Sequence, residues 1–158
     1  MLDLQGKLDS NGILTINNMR YKFIFNEPAS QEAIVDLEKR IGYKLPDAYA
    51  DFLSRSNGAE LFSIPEYGGE HRLHSIENFS MYNNRSNQYA GRFRMASILQ
   101  DDIVIDCNEF NDGEPNYMYV CSEVNPLEMA RPLFCSFETW LERWVVCNGE
   151  KYWEGNNL

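Results

Sequence analysis

The chain's only two histidines, His71 and His74, are three residues apart, with Glu70 and Glu77 nearby. A zinc centre takes three or four protein ligands, so a lone His-x-x-His pair falls short. Solvated or partner-contacting imidazoles are the plainer expectation, and a metal-dependent enzyme built on His71 and His74 is the second alternative. The run Asp106-Cys107-Asn108-Glu109-Phe110-Asn111-Asp112-Gly113-Glu114 invites a calcium-loop reading. It fails the EF-hand spacing, because Phe110 stands where an oxygen ligand is required. Paired carboxylates suited to acid–base hydrolysis can be chosen freely among 24 acidic residues, which makes any one pair uninformative. No Gly-x-Ser-x-Gly elbow, phosphate-cradling glycine loop or His-Glu-x-x-His helix occurs. These observations predict no catalytic residue, no metal site and no cofactor.

Charge is the stronger signal. The net charge is −10, and from Asp101 to Ala130 eight carboxylates occur without one Lys or Arg. Such a stretch repels nucleic acid and anionic membrane and attracts basic proteins or cations; the plainer alternative is a solvated face that only keeps the protein soluble. If Ile103, Ile105 and Cys107 face the core of a strand, then Val104, Asp106 and Asn108 face outward. The acids then gather on one face and its rims. The expected partner-binding residues are therefore Asp101, Asp102, Asp106, Glu109, Asp112 and Glu114, with Tyr117 as an aromatic anchor beside the acidic turn. Arg92 and Arg94 are placed to consume part of this charge from a neighbouring strand.

The elements that must position these residues follow from pattern. Residues around Leu2, Leu4 and Leu8, then Ile13–Ile16 and Tyr21–Phe25, read as a three-stranded meander with turns at Asn11-Gly12 and Asn17-Asn18. Ser30 caps a helix carrying Ile34, Leu37 and Ile41 on one stripe, and Gly42 closes it. Pro46 opens a second helix bearing Tyr49, Phe52 and Leu53, which ends at Asn57-Gly58. Glu60–Asn87 is weakly patterned: Leu61–Ile64 reads as a strand, and Gly68-Gly69 and Tyr82-Asn83-Asn84 as loops. Arg92–Ala96, Ile103–Cys107 and Tyr117–Cys121 read as successive antiparallel strands with a turn over Asn111–Pro115. A last helix, capped by Ser136, sets Phe137, Trp140, Leu141, Trp144 and Val145 on one face. The length fits one domain, comprising N-terminal strands (1–27), a core (28–147) and a polar tail (148–158). Cys107, Cys121, Cys135 and Cys147 form no Cys-x-x-Cys pair and read as reduced, mostly buried thiols. Without a basic-then-apolar leader, the expected location is the cytoplasm.

The two-helix segment carries a resemblance. Ile34-x-x-Leu37-Glu38-x-x-Ile41-Gly42-x-x-Leu45-Pro46-x-x-Tyr49-x-x-Phe52-Leu53, closing with Asn57-Gly58, is similar to the opening signature of the SUKH superfamily. That superfamily includes a fungal regulator of cell-wall synthesis and many bacterial immunity proteins. The later strands and the Ser136-Phe137-led helix follow the same order. The resemblance implies an α+β fold, an antiparallel sheet packed by helices, and partner binding rather than chemistry. The implied partner is a toxin domain, often a nuclease, encoded beside the immunity gene; a regulatory or scaffold domain without a toxin partner is the alternative. Nucleases hold phosphates with Lys and Arg, so a blocker gains by offering carboxylates to the same groove. Nucleic acid and membrane are not expected partners. The signature positions themselves read as structural, and the N-terminal strands lie outside them.

Overall fold

The computed structural model describes residues 5–83 and 89–155. One eight-stranded antiparallel sheet runs through them in strict chain order. Its strands are β1 (Ile13–Ile16), β2 (Met19–Phe25), β3 (Ala59–Ser63), β4 (His71–Leu73), β5 (Arg92–Ile98), β6 (Asp101–Asp106), β7 (Met118–Ser122) and β8 (Arg131–Pro132). The helices are α1 (Gln31–Ile41), α2 (Asp47–Arg55), α3 (Ile76–Tyr82), the single turn α4 (Cys107–Asn111) and α5 (Phe137–Val146). Because β2 pairs with β3, the N-terminal hairpin extends the main sheet. The expected first strand of the meander is not seen: Gln5–Lys7 is a 3-10 turn, and residues 1–4 lie outside the described residues. Asp9 accounts for the turn that follows, since its Oδ1 accepts from the N–H of both Asn11 and Ile13.

Helices α1, α2, α3 and α5 bury their apolar stripes on one face of the sheet. Leu37, Tyr49, Phe79, Trp140 and Trp144 are all essentially inaccessible there. Trp140 and Trp144 stack with ring centroids 5.5 Å apart, and Phe62 meets Trp144 edge-on at 5.4 Å. Such aromatic packing is worth roughly 0.5–1.5 kcal/mol per pair beyond the area buried. The C-terminal segment corrects the expectation of a polar tail. Trp153 is fully buried, and its Nε1–H donates to Asp101 Oδ2 at 2.9 Å. A large ring with one satisfied donor belongs inside, whatever the polarity of its neighbours.

Signature residues act structurally. Glu38 Oε2 accepts from Leu45 N–H at 2.8 Å and so ties the end of α1 to the start of α2. Asn57 Oδ1 accepts from the N–H of Ile76, at the start of α3. Gly58 has φ +83°, and a Cβ there would lie 2.6–2.9 Å from backbone atoms of Leu73, His74 and Ser75. It therefore fixes where β4 turns into α3. Gly58→Ala combines a left-handed backbone with a backbone clash. It is expected to lower unfolding free energy in urea titration by about 2 kcal/mol or more. A loss below about 0.5 kcal/mol would contradict this role.

Candidate functional site: paired and exposed carboxylates around the outer sheet face

The sheet face opposite the helices carries charge. Arg92 lies directly across from Asp106 in the β5–β6 register. Its Nε donates to Asp106 Oδ2 at 3.1 Å, with both side chains largely buried. The guanidinium is also sandwiched between the rings of Tyr89 and Tyr119, 4.7 and 4.2 Å from their centroids. Arg94 Nη1 donates to Asp102 Oδ2 in a second buried pair. A β-bulge between Arg94 and Ala96 breaks simple alternation, so Ser97 stands opposite Asp102, and its hydroxyl donates to Asp102 Oδ1 at 3.0 Å. His74 completes the chain with Nε2 3.3 Å from Ser97 Oγ, and its ring stacks on Tyr82 at 4.5 Å.

The β7–β8 connection crosses this face and is held by the two arginines. Arg92 donates to Leu127 O at 3.1 Å, and Arg94 to Asn125 O at 2.7 Å. Beneath the connection, Val104, Cys121 and Leu127 form a small second core. Its exposed residues include Glu123, Val124, Glu128 and Met129.

The sequence-predicted site therefore divides. Asp102 and Asp106 are 6 % and 5 % exposed, which corrects the expectation of bare outward carboxylates. They are internal counter-ions, and Asp106 also caps α4 by accepting from Glu109 N–H at 2.9 Å. Asp101 is taken up by Trp153 and by Lys151, 3.3 Å away. Tyr117 is 5 % exposed, against the expectation of a surface anchor. Its hydroxyl accepts from Phe137 N–H at 3.2 Å, and Phe110 packs edge-on at 5.3 Å, so it holds the start of α5 in place. Burial raises its phenol pKa, with Glu138 and Asp47 among the charges that add to the rise. Glu109 is half-buried and accepts from the Tyr119 hydroxyl. Asp112 and Glu114 are exposed on the α4–β7 loop and outside every ion pair among the described residues.

Neither histidine is the solvated imidazole expected from the sequence: His71 is half-buried and meets Trp144 edge-on at 5.7 Å, and His74 is buried against Tyr82 and Ser97. Among the described residues, no group of three or more His, Cys, Asp or Glu side chains is placed to hold a metal ion. Cys107, Cys121 and Cys135 are buried free thiols, and Cys147 is a half-buried one. No helix among the described residues is long and apolar enough to cross a membrane. Sequence reasoning singled out His74 and Glu70 but missed Ser97 and Glu123, which line the same groove because the β5 bulge and the β7–β8 connection bring them there.

Fold and face together define an α+β protein that pairs some of its acids internally and displays others on loops. The chain belongs to the SMI1 / KNR4 family (SUKH-1), whose match covers residues 28–143. Among its relatives, it is 33 % identical over 134 residues to the uncharacterized protein YnaB of Bacillus subtilis (strain 168), covering 85 % of this chain and 88 % of that one. It is also 27 % identical over 168 residues to the uncharacterized protein YobM of the same organism, covering 96 % and 87 %. The family match begins three residues after β2 ends, so the N-terminal hairpin is an addition to the sheet outside the matched region.

Two outcomes follow from this geometry. Arg94→Met leaves the Asp102 carboxylate buried without its cation. It should cost about 3 kcal/mol in urea unfolding and speed amide exchange across Glu123–Met129; a loss under 1 kcal/mol would contradict the pairing. Burial, reinforced by Arg72, lowers the His74 pKa from 6.5 to about 4. Because the unfolded chain takes up this proton first, stability is complete above about pH 6.5 and declines as pH falls toward 4. The loss is on the order of 2–3 kcal/mol. His74→Gln, compared with the parent at pH 7.5, 6, 5 and 4.5, should show a correspondingly shallower decline; parallel curves would contradict the assignment.

Proposed function

We propose that this chain is an immunity-type binding protein that neutralises a cationic toxin domain, in the best-fitting case a nuclease, by occluding its phosphate-binding cleft. The observation that carries this reading is the pair Asp112 and Glu114, exposed and outside ion pairs on the α4–β7 loop, in a stretch without Lys or Arg. Asp47 and Glu138, both exposed and both close enough to raise the Tyr117 phenol, extend the negative region to the first turns of α2 and α5. Family membership supports the reading, since SUKH domains resemble partner-binding modules rather than enzymes. Carboxylates set against a basic cleft steer encounter and fix orientation. Because these acids sit on loops and helix starts, exchanging them leaves the core untouched. The protein's role is then to bind, with no reaction of its own.

The reading requires a toxin domain encoded beside the gene, and the test uses that domain; a neighbourhood without one would favour a scaffold role instead. Asp112→Lys combined with Glu114→Lys should weaken its binding at least tenfold, since each close charge pair can contribute about 1.5 kcal/mol or more. The variant should unfold at the same urea concentration as the parent. Unchanged affinity in calorimetry would remove this loop from the mechanism.

A further inference from the structure

A groove of about 660 Å³ opens on the outer sheet face, between the β7–β8 connection and the end of α3. Its floor is the chain Arg94–Asp102–Ser97–His74. The Ser97 hydroxyl gives its single proton to Asp102, so the contact with His74 Nε2 requires that nitrogen to carry the hydrogen. A neutral imidazole then leaves Nδ1 as a lone-pair acceptor, and it makes no hydrogen bond among the described residues. His74 is 2 % exposed yet lines the groove, so an otherwise buried ring offers an acceptor to an incoming N–H donor.

The rims add complementary chemistry. Glu70 and Glu123 are exposed carboxylates lining the groove. Tyr82, 43 % exposed, offers its ring beside the imidazole, and Leu99 and Val124 are exposed at 43 % and 82 %. Two arginines also line it. Arg94 is engaged by Asp102 and by the Asn125 carbonyl, which leaves Arg72 as the exposed cation against two exposed carboxylates. A face that needed only closure would be apolar, as it is beneath Val104, Cys121 and Leu127. Here a polar floor is kept open to solvent beside exposed apolar side chains.

We infer that this groove receives an arginine or lysine side chain, flanked by apolar residues, projecting from a loop of the partner protein. The cationic head lies between Glu70 and Glu123 and donates an N–H to His74 Nδ1, while its alkyl stem runs along the Tyr82 ring. The flanking apolar residues cover Leu99 and Val124. Outside the Arg94–Asp102 pair, Glu70 and Glu123 outnumber Arg72, whose charge reaches His74, so the groove as a whole favours a cation over an anion. This rests on the reading of the partner as a cationic protein, and it adds a specific pocket to the diffuse attraction of the α4–β7 loop.

The probe is acetyl-Leu-Arg-Leu-amide, titrated into the full-length chain and followed in the ¹H–¹⁵N spectrum beside peptides carrying citrulline or Glu in the central position. The Arg peptide should give saturable shifts at His74, Leu99 and Val124. The citrulline peptide should bind at least tenfold more weakly, and the Glu peptide should give no shifts. Glu70→Gln with Glu123→Gln, both at exposed positions, should weaken the Arg peptide at least tenfold while leaving the thermal midpoint in place. Shifts confined to residues 111–116, no shifts, or equal binding of the Arg and citrulline peptides would overturn the inference. Failure of the neighbouring toxin domain to bind would overturn the immunity reading instead, while the peptide result decides the groove independently.

Discussion

A carboxylate removed from water needs a cation or several donors beside it, and the outer sheet face is organised around that constraint. Asp102 and Asp106 are buried on β6, and β5 supplies Arg94 and Arg92 as their partners. Each guanidinium has more donors than one carboxylate can accept, and the surplus reaches the carbonyls of Leu127 and Asn125. Ion pairing therefore dictates where the β7–β8 connection lies. That connection in turn covers Val104 and Cys121, and it forms one wall of the groove above His74. The same acids that make the Asp101–Ala130 stretch look like a binding face are, in part, what holds the real surface in shape.

Charge thus separates into two populations by accessibility. Buried acids with fixed partners set geometry, and a partner cannot reach them without breaking the sheet's own contacts. Exposed acids such as Asp112, Glu114, Glu123 and Glu70 keep their field toward solvent. Only the second population can steer a cationic protein, and its members sit on loops or strand edges that a stiff sheet keeps in place. The helix face has a different character. Its aromatic core, with Trp140, Trp144 and Phe137 packed against α2, gives the sheet the rigidity on which the outer face depends.

Long elements with caps were legible in the sequence. Ser30 and Gly42 bound α1, Ser136 starts α5, and the stripes of both helices fall where the 3.6-residue period puts them. The family was legible because Gly42, Pro46 and Gly58 mark turns at characteristic spacings. What escaped has physical reasons. Helix α3 is seven residues long, too short to show a period, and its cap Ser75 is set by the distant Gly58 contact. Helix α4 is one turn nucleated by Asp106, inside what reads as strand and hairpin. The bulge at Met95 shifts every later side chain of β5 to the other face, so alternation from Arg92 gives the wrong side for Ser97. Trp153 was hidden by polar neighbours. For the site, the acids and the strand that would draw on them through Arg92 and Arg94 were readable, but the burial of Asp102, Asp106 and Tyr117 was not, because the covering β7–β8 connection and the start of α5 are tertiary facts.

The central claim is that the exposed acids of the α4–β7 loop and the outer groove, and not the buried pairs or the helix face, meet a cationic protein. Hydrogen–deuterium exchange of the chain, alone and with the cationic toxin domain that the proposed function requires, addresses this most directly. Slowed exchange is expected at residues 111–116 and around His74, Leu99 and Val124, with α1 and the exposed side of α5 unchanged. Protection confined to the helix face would contradict the account.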